Sequence, residues 1–191
     1  MEAAVATLQR LDLHPVVDHF TLGLLLVGIL IDLVASTAPT RLWLRYMALT
    51  LMILGAIAAG CSYFTGDIEA DRVWNAMPAG AKAVLHWHAM LGQYFAIVFG
   101  VLAVWRILIQ SVGFFAGSRP VYLIAAIVSG GVLLYIGSLG GKMVYGYGVG
   151  TALMEGPAPT VVPTPAISTE SLPTVSVPVP TATAGGAGAA G

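Results

Sequence analysis

The chain has 191 residues, of which 58% are hydrophobic and 9% charged, and its formal net charge is −1 at pH 7. A water-soluble domain carries about a quarter charged residues and a nucleic-acid binder shows a basic surplus, so both classes are set aside. The mean hydropathy of +0.88 points to lipid as the solvent, where an element must run through about 20 apolar residues to cross.

Residues 1–13 form a mixed polar segment holding Glu2, Arg10 and Asp12. The segment lacks the basic start, short apolar core and small-residue cleavage site of a signal peptide. The first apolar run is therefore expected to stay in the protein and serve as the insertion signal. Spans are predicted at about 15–35, 42–64, 82–109 and 120–139. Pro15 suits the first helical position, where its missing N–H leaves no bond unmade, and Asp18 complements the positive end of the helix dipole. Ser36 to Thr40, with Pro39, breaks the first run. Asp67 to Gly80, with Pro78, reads as a polar connector and Gly113 to Ser118 as a loop, before Arg119-Pro120 opens the last span. The runs are too long for barrel strands and lack period-two alternation. The expected fold class is an all-α integral membrane four-helix bundle over residues 14–151, with both termini on one side. Residues 152–191 are rich in Pro, Thr, Val, Ala and Gly, which predicts a disordered or extended low-complexity tail.

The two arginine-rich loops give the orientation. Arg41, Arg45, Arg106 and Arg119 crowd two short connections beside helix ends, whereas Arg10, Arg72, Lys82 and Lys142 are scattered through longer segments. The positive-inside bias acts in short loops, which puts the arginines in the cytoplasm and both termini outside. Asp32 stands near the arginine end of the first span, and an ion pair with Arg41, Arg45 or Arg106 would satisfy a carboxylate that is costly in hydrocarbon. Helices in lipid associate through small residues. Gly55 and Ala59 in the second span, and Ala126 and Gly130 in the fourth, have the spacing for close approach to a neighbour.

Four spans gather His14, His19, His86 and His88 at the opposite face, together with Asp67, Glu69 and Asp71. At about 100° per residue, His86 and His88 project about 200° apart, so only one can point inward. One of the first pair could then face one of the second across the bundle. Three readings stay open. Two facing imidazoles could be axial ligands of a b-type haem. Histidines with a connector carboxylate could hold zinc, copper or iron. Or the histidines could be satisfied by hydrogen bonds within the protein. The segment Gly140-Gly141-Lys142-Met143-Val144-Tyr145-Gly146-Tyr147-Gly148-Val149-Gly150 lacks the spacing of a phosphate loop and reads as an irregular stretch packed over the same end.

These residues carry a resemblance. Leu13-His14-Pro15 with His19-Phe20, Thr65-Gly66-Asp67, a histidine opening the third helix, and Gly140-Gly141-Lys142-Met143-Val144-Tyr145 with Gly148-Val149-Gly150 resemble a bacterial family of four-helix membrane proteins, domain of unknown function 2231. The resemblance covers about Leu13 to Thr151 and departs at Thr21, where the family often has proline. It implies a location in the bacterial cytoplasmic membrane and no settled activity. Family members sometimes occur beside cytochrome-like modules, which adds to the redox reading by association.

A nucleophile–base set, paired catalytic carboxylates, a nucleotide loop and inverted repeats cannot be read in the chain. The expected function is an accessory or small electron-transfer subunit of a larger membrane complex, holding a haem or a metal ion at the extracytoplasmic face. The alternative is a non-catalytic interaction subunit without cofactor, whose helices and tail dock on partner membrane proteins.

Overall fold

The computed structural model describes residues 13–151; the predicted tail and all but the last residue of the N-terminal segment lie outside them. Four helices follow one another: α1 (Leu13–Thr37), α2 (Leu42–Val73), α3 (Ala79–Ser111) and α4 (Arg119–Tyr147), with a 3₁₀ segment at Gly113–Ser118 between the last two. Each is long and apolar enough to cross a bilayer. At 1.5 Å per residue the shortest, with 25 residues, spans roughly 38 Å against a hydrocarbon core of about 30 Å. The described residues contain no strand. The protein is an all-α membrane bundle.

The helix ends are written locally. Pro78 holds an extended conformation just before α3, and Pro120 sits in the first turn of α4, where the missing N–H leaves no bond unmade. Gly148 ends α4 in the left-handed region at φ 69°. Its N–H donates to the Val144 carbonyl at 2.9 Å, a helix stop that suits a residue without Cβ. Two expected breaks are helix instead. Thr65 to Val73 continues α2, and Gly140 to Tyr147 continues α4. In neither stretch does a proline interrupt the backbone bonds, so the glycines thin the packing surface without stopping the helix.

Helices adjacent in sequence pack on one another, and α1 also meets α4. The core holds Leu25, Met52, Phe99, Leu102, Tyr122 and Ala126. Large apolar side chains such as Leu30, Ile57, Val101, Ile124 and Leu134 face outward, as a lipid-facing surface requires. The small-residue stripes both receive α1. A Cβ on Gly55 would stand 2.5 Å from Leu25 Cδ2, and one on Gly130 would stand 3.1 Å from Ile29 Cδ1. Ala59 and Ala126 are buried on the same helices. Without these gaps, α1 could not lie so close to α2 and α4.

Candidate metal centre

His14 and Asp18 are four residues apart on α1 and share a face. His88 enters from the third turn of α3. One donor atom from each of these three residues lies within 4.8 Å of the others. His88 is buried and the other two are half-buried. The two rings meet edge to face, with centroids 6.2 Å apart and planes at 80°.

Outer partners fix the chemistry of each donor. His88 Nδ1–H donates to the Ile136 carbonyl at 3.0 Å, and a carbonyl can only accept, so the lone pair lies on Nε2. His14 Nδ1 is 3.4 Å from Thr65 Oγ1. The Thr65 hydroxyl hydrogen is directed to the Cys61 carbonyl at 3.0 Å or that of Ser62 at 3.1 Å. Thr65 therefore accepts from the His14 ring, which again leaves Nε2 bare. Ser62 donates to Asp18 Oδ1 at 2.6 Å, and Oδ2 has no hydrogen-bond donor among the described residues. Thus α2 and α4 orient side chains borne by α1 and α3.

Glycine makes room for both rings. A Cβ at Gly66 would fall 2.9 Å from His14 Cε1, inside contact distance, and one at Gly140 would meet His88 Cε1 at 3.4 Å. Two predicted site residues are elsewhere. His19 is exposed, with Nδ1–H turned back to the Pro15 carbonyl at 2.6 Å. His86 is exposed beside Trp87, as its 200° offset from His88 requires. The connector carboxylates also stay out: Asp67 and Asp71 are exposed, and Glu69 pairs with Arg72 one turn on. The carboxylate that joins the histidines is Asp18, which dipole reasoning had assigned to the helix end. The signal for it was the His-x3-Asp spacing.

The other end of the bundle carries a second polar cluster. Asp32 accepts from Arg106 Nε at 2.6 Å and Nη2 at 3.2 Å, and from Arg119 Nη2 at 3.0 Å. Arg106 also donates to Gln110 Oε1 at 3.1 Å and to the Arg45 carbonyl at 3.0 Å. The expected third member is thus corrected. Arg45 serves through its backbone, and Arg119 takes the place given to its guanidinium because α4 starts beside the end of α1.

A family model described as predicted membrane protein (DUF2231) matches residues 10–153. The chain belongs to the DUF2231 family. The match takes in both polar clusters of this DUF2231 protein and all four of its helices. No curated protein and no solved structure matches the chain.

Proposed function

We propose that this DUF2231 protein is an accessory subunit of a larger membrane assembly that holds one transition-metal ion between His14, Asp18 and His88. The observation that carries the reading is the convergence of two imidazoles and a carboxylate within 4.8 Å, each tied by a separate outer partner. Such second contacts orient ligands and raise their basicity in metal sites. Two histidines and one carboxylate leave coordination positions open, a set used by zinc and by non-haem iron. With iron or copper the subunit would carry one electron, which is the small electron-transfer role. A haem fits less well than an ion, because the Asp18 carboxylate stands within reach of both donor atoms, where a macrocycle between axial imidazoles would lie.

The setting we assign is the bacterial inner membrane, with the metal end and both termini outside the cytoplasm, because the short basic loops lie at the other end. The test is metal analysis of the full chain purified in detergent and reloaded with zinc, ferrous iron or cuprous ion. One ion per chain, lost in His14→Ala and His88→Ala, is expected. No stoichiometric ion with any of the three would end the reading, and a Soret band in the reduced-minus-oxidised spectrum would return it to haem.

A second reading has its own support. Each of the three groups already has a hydrogen-bond partner inside the protein, as in a cofactor-free interaction subunit that uses the cluster to close the bundle end. Under it, the His14 and His88 variants would bind no less metal than the natural chain, and the assembly would still form.

A further inference from the structure

The polar cluster around Asp32 is out of balance. Arg106 and Arg119 share the single carboxylate of Asp32, Arg45 adjoins them through its carbonyl, and Arg41 stands one turn before Arg45 at the start of α2. The other described acids lie far away: Asp67 is on the same helix as Arg45 but 22 positions along, roughly 33 Å. Arg106 meets Arg119 on Asp32 and bonds the Arg45 carbonyl at 3.0 Å. Arg106 is spent on Asp32, Gln110 and a carbonyl. Arg119 uses only Nη2, on Asp32, and the Arg45 side chain is not spent. The Nε–H groups of both are shielded from solvent without an acceptor. The Arg45 guanidinium has no acceptor among the described residues. Both arginines still reach the outside of the bundle: Arg119 keeps 16% of its side chain exposed, and Arg45 is half-buried.

Surplus positive charge held at a helix-bundle end in a bilayer requires an anion. The end of a membrane helix lies at headgroup depth, and basic pockets between membrane helices suit lipid phosphates. We infer that Arg45 and Arg119 bind the phosphate of an anionic phospholipid headgroup at this end of the bundle. A planar guanidinium offers paired N–H donors matched to phosphate oxygens, and Arg119 Nη2 is held on Asp32 while 16% of the side chain stays exposed.

The experiment is native mass spectrometry of the full chain released from detergent after incubation with phosphatidylglycerol, with phosphatidylcholine, or with inorganic phosphate alone. Phosphatidylglycerol should be retained about tenfold more strongly than phosphatidylcholine. Arg45→Gln should lose that preference, while Arg45→Lys should keep part of it. Arg45→Gln leaves the backbone carbonyl used by Arg106 and all contacts of Asp32 in place, so its melting temperature should match that of the natural chain. Lys142→Gln removes a charge at the opposite end and should leave retention unchanged. Equal retention of both lipids, or a preference that survives Arg45→Gln, overturns the inference. Arg45-dependent uptake of inorganic phosphate without preference between lipids overturns the lipid assignment and moves the site to free phosphate.

Discussion

Removing Asp32 should be among the most damaging single changes in the bundle. Asp32→Ala deletes three charge-assisted bonds, at 2.6, 3.0 and 3.2 Å. It also leaves Arg106, which is 0% exposed, with one side-chain amide and one carbonyl. Breaking a buried pair from one side costs about 3–5 kcal/mol, because the stranded charge keeps its desolvation penalty. Arg106→Ala should cost a similar amount, since Asp32 would then rely on Arg119 alone. The double variant strands neither: Arg119 can turn outward along its aliphatic stem, and a pair lost together costs far less than the two halves. We therefore expect a coupling of about 3 kcal/mol between the two substitutions. The assay is a double-mutant cycle on unfolding in mixed micelles by SDS titration, followed by helical circular dichroism. Losses that add to within about 0.5 kcal/mol would refute the argument.

The metal proposal gives three more outcomes. Ser62→Ala should weaken metal binding about 10- to 100-fold by freeing the Asp18 carboxylate, with helix content unchanged by circular dichroism. Gly66→Ala places a methyl 2.9 Å from His14 Cε1; it should displace that ring and lower zinc affinity in a competition titration with a chromophoric chelator. His19→Ala and His86→Ala should retain the ion content of the natural chain by elemental analysis, because both rings point away. For the packing stripe, Gly55→Ala drives a methyl to 2.5 Å from Leu25 Cδ2. Overpacking of this kind costs about 1–3 kcal/mol, partly offset by about 1 kcal/mol of helix propensity, and the thermal midpoint in detergent should fall accordingly.

The parts of this molecule that follow from one-dimensional chemistry are legible in the sequence. Apolar length predicts the four crossings, and the 3.6-residue period separates His88 from His86. Small residues four apart mark Gly55–Ala59 and Ala126–Gly130 as approach surfaces, though only the packing of Leu25 and Ile29 identifies α1 as the partner. Helix ends were less legible. Gly140 and Gly141 look like breakers in water, yet they remain helical inside a bundle whose backbone groups have no other partner. The site was half legible. Histidine pairing across α1 and α3 follows from counting spans, and the His14-x3-Asp18 spacing puts Asp18 on the face of His14, but Ser62 and Thr65 enter through the rotation of α1 against α2, which no local pattern encodes. Arg119 replaced Arg45 at Asp32 for the same reason.

The distribution of charge limits what the two ends can do together. No Asp, Glu, Lys or Arg lies between Asp18 and Asp32 on α1, Arg45 and Asp67 on α2, Lys82 and Arg106 on α3, or Arg119 and Lys142 on α4. On α3 alone His88 and Arg106 are 18 positions apart, roughly 27 Å. A chain of carboxylates able to pass protons between the ends is therefore missing from all four helices. The two clusters are also too distant to share partners, so substitutions at one should act additively with those at the other. If the His14–Asp18–His88 centre were to take up a proton, that proton would have to be exchanged at the same bundle end.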